Sequence, residues 1–400
     1  MKKIIICMLL IFALLCGCAA QNTESGSPPE TGGSGKSSFS SGVWLSYSEI
    51  NGMLKSSSGF KAEFAEVIKN CSYLKISDIY VHVRAFCDSL FKSEYFPQIS
   101  AAKELDYDVF EYIISECRKT GIRVHAWLNP YRVSSSSEDT EALDPESPAY
   151  KWLHDNDAAN DVNVVKSGGI YLNPAEYQVR ELVIDGIREI LEKYDVDGIH
   201  FDDYFYPTTD ESFDSASYEK YKSGSENPLP LDEWRRSNVN ALISGCYTAV
   251  KFYSKDILFT VSPAASVENN YNELYADVEG WLESGCVDCI IPQLYFGFEY
   301  PDTEFSFEQL LEQWCGLASC NDNVSLLIGL APYKTGTDSD PDREEWNKYT
   351  DIIARQVEKC YENENVSGFV LFSYSSLVSD NELNTKQREN LKEYIDSASE

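Results

Sequence analysis

Positive charge is scarce in this sequence, which limits the partners that the protein can bind. The 400 residues include 33 Lys and Arg against 65 Asp and Glu, for a formal net charge of −32. Such a surface repels a phosphate backbone, so we expect no nucleic-acid partner. Histidine is scarce as well: the four His residues show no H-x-H or H-E-x-x-H spacing, which leaves no common zinc motif.

Long apolar runs are also few, and the composition is globular, with 43% hydrophobic and 24% charged residues. Residues 4–15 are a run of twelve apolar residues behind Lys2 and Lys3. The run is too short to cross a hydrocarbon core of about 30 Å and predicts a signal peptide.

The signal peptide ends in LCGC at residues 15–18, which matches a bacterial lipobox. We expect residues 1–17 to be removed and Cys18 to carry diacylglycerol, so that a lipid anchor holds the protein on the outer face of a bacterial cell membrane. A plain secretory signal that ends in Cys is the alternative. Residues 19–40 are rich in Gly, Ser, Pro and Thr, and with Cys18 they predict a disordered tether over 18–40.

Nine cysteines follow Cys18, an odd number that cannot all pair. Most lie in apolar segments, as buried free thiols do. Cys286 and Cys289 form a C-x-x-C pair, but no second pair or nearby His completes a metal or redox motif. A local disulfide between Cys315 and Cys320 stays open as an alternative.

After the tether, β-branched or aromatic runs alternate with amphipathic stretches of about fifteen residues. This pattern predicts an α/β protein with a (β/α)8 TIM barrel as a single large domain over residues 41–400. An open doubly wound sheet is the alternative, but no Gly-rich phosphate turn follows the first strand. The predicted strands are residues 42–46, 78–84, 122–129, 197–203, 257–262, 287–294, 325–330 and 366–373, and the predicted helices are residues 62–75, 109–120, 175–194, 238–253, 307–318 and 343–361.

A barrel of this kind carries its active site at the carboxyl ends of its strands. The fourth predicted strand continues into DGIHFDDY over residues 197–204, and period-two alternation turns His200 and Asp202 towards the barrel axis. Asp202 is therefore the first catalytic candidate. Glycoside cleavage needs a second carboxyl group, for which we rank Asp203, Asp88 and Glu49 in that order.

Aromatic, cationic and amide side chains end most of the other strands. Aromatic rings with polar edges suit sugar rings, and the cations suit an anionic substrate group or lower the pKa of a carboxyl group. The predicted substrate-binding residues are Arg84, His125, Trp127, Asn129, Tyr131, Arg132, His200, Tyr204, Tyr206, Gln293, Tyr295, Lys334 and Tyr374.

Metal chemistry is the weaker interpretation of the remaining polar residues. His82, His125 and His200 lie on neighbouring strands and are expected to be buried, hydrogen-bonded side chains rather than zinc ligands. The Asp residues at 338, 340 and 342 have the spacing of a calcium loop but lack its Gly, so we expect a solvated acidic loop. The acidic segment 134–167 is expected to be a cleft wall or lid. We predict no metal and no cofactor.

Five separated motifs together resemble the bacterial glycosyl-hydrolase-like 10 family of YngK-like lipoproteins. They are GVW at 42–44, VRAFCD at 83–88 followed by Phe96 and Pro97, HAWLNP at 125–130, DGIHFDDY at 197–204 and PQLY at 292–295. The resemblance covers about residues 41–375. It implies a (β/α)8 barrel, an extracytoplasmic lipoprotein and hydrolysis of glycan, with peptidoglycan strands as the suggested substrate.

The fourth strand also resembles the D-x-x-D-x-D-x-E signature of chitinase-type barrels, with two departures. His200 replaces the second Asp, and Tyr204 replaces the Glu that donates the proton in that mechanism. Substrate-assisted chemistry is therefore disfavoured. We predict a membrane-anchored glycoside hydrolase that acts on cell-wall glycan. In one form of this prediction, the glycan strands have lost their stem peptides. The alternatives are a non-catalytic glycan-binding lipoprotein and a hydrolase of another polysaccharide.

Overall fold

A parallel barrel organises the described part of the chain. The structure is a computed structural model that describes residues 39–338 and 340–398. The predicted signal peptide, Cys18 and residues 19–38 of the predicted tether lie outside these residues, whereas Ser40, predicted as tether, begins β1. Within the described residues the strands are β1 Ser40–Leu45, β2 Asp78–Arg84, β3 Arg123–Leu128, β4 Arg132–Ser134, β5 Val164–Lys166, β6 Ile170–Leu172, β7 Gly198–Phe201, β8 Leu258–Val261, β9 Cys289–Ile290, β10 Ser325–Leu330 and β11 Val366–Leu371.

Eight of these strands close into a barrel in the order β1-β11-β10-β9-β8-β7-β3-β2. Closure comes from β1, which pairs in parallel with β2 on one side and with β11 on the other. The predicted TIM barrel is thus confirmed, and the open sheet is wrong because no edge strand is left in it. The other three strands form a small antiparallel sheet in the order β4-β6-β5.

Helices follow most of the barrel strands. None of those in the described residues combines the length and apolarity needed to cross a membrane. They are α1 Tyr47–Met53, α2 Ser57–Tyr73, α3 Ser100–Lys103, α4 Val109–Lys119, α5 Pro148–His154, α6 Tyr177–Lys193, α7 Ser215–Gly224, α8 Leu231–Tyr253, α9 Val267–Asn272, α10 Val278–Ser284, α11 Phe307–Ala318, α12 Arg343–Lys348, α13 Ile352–Glu362, α14 Tyr374–Leu377 and α15 Glu382–Ser397, with single 3-10 turns at Thr140–Ala142, Asp161–Asn163, Thr303–Phe305 and Pro332–Lys334.

Local sequence explains why such helices form. In α4, the Asp108 side chain caps the first turn by accepting from the backbone N–H groups of Phe110 and Glu111, at 2.9 and 3.1 Å. The helix ends on Arg118 and Lys119, whose charges suit the carboxyl end of a helix dipole. Its apolar residues recur at helical spacing and face the barrel; they are Val109, Phe110, Ile113, Ile114 and Cys117.

The carboxyl-terminal helices differ from the prediction. The single helix expected over residues 343–361 is two helices, α12 and α13. The break is stabilised by α15, because Gln387 Nε2 donates to the carbonyl oxygen of Tyr349 and Asn390 Nδ2 donates to that of Thr350. The helix α15 itself was not predicted, since two of its three buried residues, Asn384 and Gln387, are polar.

The barrel interior below the strand ends is packed with aromatic and hydrogen-bonded polar side chains. Near the amino end, Asp78 accepts from Arg123 Nε at 2.8 Å and lies 2.8 Å from His125 Nε2. One layer higher, Trp44 Nε1 donates to His200 Nε2 at 3.0 Å. This filled interior places any cavity above these layers, at the carboxyl ends of the strands.

A buried ion pair fixes the segment that follows β7. Arg235 of α8 contacts Asp214 at 2.6 Å, and both side chains are fully buried. The same guanidinium donates to the backbone carbonyl oxygens of Thr209 and Asp210, and to the Tyr275 hydroxyl. Arg235 therefore connects α8 to residues 209–214.

We expect Asp214→Asn to destabilise the protein by about 3–5 kcal/mol, because it leaves the Arg235 charge buried without a partner. Urea unfolding of the mature chain measures the change. The control is Glu382→Gln, which breaks an exposed pair with Lys386 and should leave the unfolding midpoint almost unchanged. Equal unfolding midpoints for Asp214→Asn and the unaltered chain would contradict the assignment.

Candidate functional site

A cavity of about 470 Å³ lies at the carboxyl ends of the barrel strands. We call it the central cavity. Its walls come from residues beyond the ends of seven of the eight strands, and from Trp44, His82 and Trp127 within β1, β2 and β3. They combine carboxyl groups with aromatic rings. The lining residues are Trp44, Ser46, Tyr47, Ser48, His82, Trp127, Arg132, Asp202, Asp203, Tyr204, Ser262, Gln293, Tyr295, Tyr333, Phe372, Ser373 and Ser375.

Two further cavities adjoin the central one on different sides. The Lys334 cavity, of about 620 Å³, shares Gln293, Tyr295 and Tyr333 with it. The Tyr206 cavity, of about 460 Å³, shares Arg132, Asp203 and Tyr204 with it. Because the shared residues differ, the three cavities follow one another with Asp202 and Asp203 in the middle one. The Lys334 cavity is completed by residues such as Asn269, Asn272, Tyr300 and Phe305, and the Tyr206 cavity by Asn129, Ser135, Tyr171, Phe205 and Pro207.

Asp202 is held by two donors from the end of the neighbouring strand β3. Trp127 Nε1 donates to its Oδ2 atom at 3.0 Å, and Asn129 Nδ2 donates to its Oδ1 atom at 3.2 Å. Burial, followed by the negative charge of Asp203, raises the pKa of Asp202 to about 7 despite these donors and the nearby Arg132 charge. The carboxyl group is thus fixed in place and protonated below about pH 7.

Asp203 lies in the same cavity as Asp202, although strand alternation assigned it to the opposite face. The strand β7 ends at Phe201, so strict alternation no longer applies to the two residues that follow it. Burial raises the pKa of Asp203, while a hydrogen bond from the Gln293 side chain opposes the shift. The negative charge of Asp203 in turn disfavours ionisation of Asp202.

The other two candidate carboxyl groups lie outside the central cavity. Asp88 lines a separate small pocket and accepts from the backbone N–H of Phe86 at 3.3 Å; burial raises its pKa to about 6. Glu49 accepts from the Ser46 backbone N–H at 2.7 Å and from the Ser373 hydroxyl at 2.6 Å, so it connects α1 to the end of β11. Of the three candidate partners of Asp202, the structure therefore places Asp203 in the central cavity and leaves the other two outside it.

Aromatic rings form much of the cavity wall. Trp127 stacks on His82 with ring centroids 3.6 Å apart. Tyr295 stacks on Phe372 at 5.7 Å and meets Tyr333 edge-on at 5.9 Å. Tyr204 is 51% exposed and presents its ring at the mouth. Flat rings with polar edges are the surfaces that bind sugar rings.

Several predicted substrate-binding residues are placed away from the cavities. The Arg84 guanidinium is buried over the Phe96 ring, 4.2 Å from its centroid, and Tyr131 is buried beside the barrel. His125 and His200 lie in the filled interior below the cavity. These four side chains are in position to support the site rather than to touch a ligand.

For two more predicted substrate-binding residues, a neighbour in the sequence lines the central cavity instead. Tyr374 turns away from the cavity, where its hydroxyl accepts from Asn70 Nδ2 at 3.0 Å, while Ser373 and Ser375 line the wall. Lys334 lines its own cavity but is ion-paired with Asp342 at 3.2 Å, while Tyr333 faces the central cavity.

Some lining residues were not predicted as substrate-binding residues. Most of them are neighbours of residues that were. Tyr333 and Ser373 belong to strand ends that the analysis had located, and Trp44 belongs to a quoted motif. His82 was expected to be a buried, hydrogen-bonded side chain; it is buried, but the expected hydrogen bonds are wrong for this residue. It lines the central cavity, and its ring nitrogens have no hydrogen-bond partner among the described residues. Burial lowers the pKa of His82 well below the usual value, which keeps the ring neutral.

The acidic segments differ in their roles. The expectation of a solvated loop is wrong for Asp342, which is buried and accepts from the Gly297 backbone N–H at 2.8 Å and from Trp346 Nε1 at 2.9 Å. Segment 134–167 contributes Ser135 to the wall of the Tyr206 cavity. Among the described residues no group of three His, Cys, Asp or Glu side chains is arranged to hold a metal ion. All nine cysteines there are free, Cys315 and Cys320 included.

Sequence comparison identifies relatives of the whole barrel. The profile of a known family, described as glycosyl hydrolase-like 10, matches residues 41–348. Glycosyl hydrolase YngK of Bacillus subtilis is 29% identical over 343 residues, which cover 79% of this chain and 64% of YngK. The chain therefore spans just under two thirds of that relative. Glycosyl hydrolase DigH of Escherichia coli K12 is 26% identical, with 91% of each chain covered.

Solved structures share the fold at lower identity. The glycoside hydrolase domain of PgaB (BpsB) from Bordetella bronchiseptica is 14% identical, with a TM-score of 0.60 over 89% of this chain and 99% of that domain. Alpha-L-fucosidase isoenzyme 2 from Paenibacillus thiaminolyticus is 13% identical, with a TM-score of 0.56 over 91% of this chain and 50% of the fucosidase. At these identities the likeness shows the barrel fold alone.

The raised pKa of Asp202 predicts a pH-dependent cost to stability. The folded state keeps a proton that the unfolded chain releases above about pH 4, so stability falls as the pH rises from about 4 to about 7. Asp202→Asn has no such proton to lose. We expect its free energy of unfolding, relative to the unaltered chain, to rise by about 1–2 kcal/mol between pH 5.5 and pH 8.

Urea unfolding at both pH values measures this difference. The control is Glu364→Gln, which removes one exposed carboxylate far from the cavity lining and should give the same difference at both values. An Asp202→Asn difference that does not change with pH would contradict the raised pKa.

Proposed function

Because the chain belongs to the glycosyl hydrolase-like 10 family, we propose that it is a glycoside hydrolase that cleaves cell-wall glycan by carboxylate acid/base chemistry. The observation that carries this proposal is the position of Asp202 and Asp203. The two carboxyl groups lie together at the end of the fourth barrel strand, in the middle of three aromatic-lined cavities.

Glycoside cleavage needs one group to protonate the leaving oxygen and a second to attack the sugar or activate water. Asp202 supplies the proton, because its pKa of about 7 keeps it protonated below neutral pH while two donors fix its orientation. Asp203 is the partner carboxylate. Tyr204, at the acid position of chitinase-type barrels, lies against Arg132 with 3.5 Å between the guanidinium carbon and the ring centroid, so it is not assigned the proton.

The cavity arrangement supports a polymeric substrate. Sugar units on either side of the cleaved bond would occupy the Lys334 and Tyr206 cavities, while the bond itself lies beside the carboxyl pair. Tyr295, Tyr333 and Tyr204, at the two boundaries of the central cavity, are suited to stack on consecutive sugar rings. This arrangement favours cleavage within a chain.

The lipobox supports cell-wall glycan as the polymer. Diacylglycerol on Cys18 would anchor the mature chain to the outer face of the membrane. A flexible tether of about twenty residues between Cys18 and β1 would extend roughly 25 Å and would keep the barrel near the wall. The proposed location is thus the bacterial cell membrane, on its extracytoplasmic face.

Residues 19–400 are the soluble form for testing this activity, because a start at residue 41 would remove part of β1. We expect release of new reducing ends from wall glycan, and we expect Asp202→Asn and Asp203→Asn to lower the rate by about 10²- to 10⁴-fold, as loss of a catalytic acid or base does. Asp88→Asn is the matched control, since that buried carboxyl group also has a raised pKa but lies outside the central cavity.

Released sugars are followed by mass, from peptide-stripped strands and from intact sacculi. Product from stripped strands alone identifies a hydrolase of naked glycan. Retained activity in Asp202→Asn would reject the catalytic assignment. Binding without cleavage would favour a non-catalytic glycan-binding lipoprotein. Cleavage of another polysaccharide in place of wall glycan would favour a hydrolase of that polysaccharide.

The anchor is tested separately in a bacterial host. We expect the full chain to incorporate labelled fatty acid and to sediment with membranes, and we expect Cys18→Ser to lose both properties because no thiol is left to acylate. Cys16→Ser is the matched control and should keep both, since the small residue required before Cys18 is Gly17. Labelling of Cys18→Ser would contradict the proposed site.

A further inference from the structure

Arg132 lies where the central cavity meets the Tyr206 cavity, and it lines both. We propose that Arg132 binds a carboxylate substituent on the sugar next to the cleaved bond, and that the enzyme thereby selects glycan whose sugar carboxylates are free. This inference rests on the proposed function and assigns a specificity-determining residue to it.

The Arg132 side chain is held in position by its surroundings. Its backbone N–H donates to Asn129 Oδ1 at 3.2 Å, and Asn129 in turn donates to Asp202. The strand β4 that begins at Arg132 pairs with Tyr171 of β6. The guanidinium lies over the Tyr204 ring at 3.5 Å, which orients its plane. A change in the sugar bound at Arg132 would therefore also affect the groups that lie next to the carboxyl pair.

The charge of Arg132 is available to a ligand. Among residues 39–338 and 340–398, no carboxylate oxygen lies within 4 Å of its guanidinium nitrogens, the limit used for an ion pair. The other cation in the cavity walls, Lys334, is already paired with Asp342 at 3.2 Å. The partner that the guanidinium does have is the Tyr204 side chain, so its charge is not neutralised by a carboxylate within the described residues.

A carboxylate is the group that best fits this side chain. The planar guanidinium fork donates to two carboxylate oxygens at once, and these hydrogen bonds are stronger than those it would make to a neutral acceptor. In wall glycan, every second sugar carries a lactyl ether whose carboxyl group is an amide when a stem peptide is attached and a free carboxylate once the peptide is removed. Arg132 would thus distinguish stripped from peptide-bearing strands.

A second role for Arg132 has to be separated from this one. Its charge also acts on Asp202 and Asp203, where it opposes the upward shift of both pKa values. Removal of the charge would move the pH profile to higher pH for every substrate. A contact with the substrate carboxylate would instead change the preference between charged and neutral substrates.

The test uses two substrates that differ only in charge: peptide-stripped wall oligosaccharides with free lactyl carboxylates, and the same oligosaccharides with those groups converted to methylamides. We expect the protein to favour the charged form in kcat/KM by about 10- to 100-fold, as a charge-assisted hydrogen bond does. In Arg132→Gln the ratio should fall towards one, and in Arg132→Lys, which keeps the charge without the fork, it should be intermediate.

Arg355→Gln is the matched control. Arg355 is also half-buried over an aromatic ring, 4.3 Å from the Phe298 centroid, but it lines none of the three cavities. It should keep the preference of the unaltered chain. Equal losses on both substrates in Arg132→Gln, together with a pH profile moved to higher pH, would overturn the proposal and assign Arg132 to the carboxyl pair alone.

Binding separates this proposal from the proposed function. In Asp202→Asn, which is not expected to cleave, calorimetry should show tighter binding of the charged oligosaccharide, and the added Arg132→Gln change should remove that difference. If the unaltered chain cleaves neither substrate but keeps the binding preference, hydrolysis is rejected while Arg132 is supported. Equal binding of the two oligosaccharides would reject Arg132 as the selective contact.

Discussion

The chemistry of the site depends on one buried carboxyl group held at a fixed place beyond the end of a barrel strand. Asp202 follows β7 immediately, and the ends of the neighbouring β3 segment donate to it through Trp127 and Asn129. The parallel pairing of β3 with β7 sets the distance between donor and acceptor. Barrel closure is thus a condition for the site, because only a closed sheet brings the residues of seven strand ends around one cavity.

The layers below the site explain why that carboxyl group is rigid. Since an indole N–H can only donate, the hydrogen bond from Trp44 makes His200 Nε2 the acceptor. The proton then belongs on Nδ1, which donates to Thr260 Oγ1 at 2.8 Å. Burial lowers the pKa of His200 well below its usual value and keeps the ring neutral. A neutral, fully bonded layer supports the acids above it without adding a charge.

The sequence contained most of the fold because each strand and helix carries its own local signal. The bounds of β2 and β10 agree with the prediction residue for residue. The exceptions include short elements, such as α10 and the β4-β6-β5 sheet. Two others have a physical reason: the buried face of α15 is largely polar, and the break after α12 depends on contacts from α15. Hydrophobic periodicity detects neither case.

The sequence predicted which strand ends form the candidate site, but not which side chains at those ends face the cavity. Alternation holds only inside a strand, and β7 ends at Phe201. It placed Asp202, the next residue, correctly but misplaced Asp203, one residue further along. The same limit explains why Ser373 rather than Tyr374 lines the cavity. The depth at which a side chain is buried could not be predicted from the sequence either. Arg84, His125 and His200 are polar, yet they lie in packed layers that only the three-dimensional structure reveals.

Net charge and local charge act on different scales in this protein. A formal charge of −32 would repel an anionic glycan at long range in water, but at physiological ionic strength charges further apart than about 8 Å are largely screened. The field at the cavity is then set by the few groups that line it. There Asp202 is neutral below about pH 7, and the guanidinium of Arg132 has no carboxylate within 4 Å among the described residues. An acidic protein can therefore present a locally favourable site to an acidic sugar, because the residues that carry its negative charge lie mostly on the outer surface, away from the three cavities.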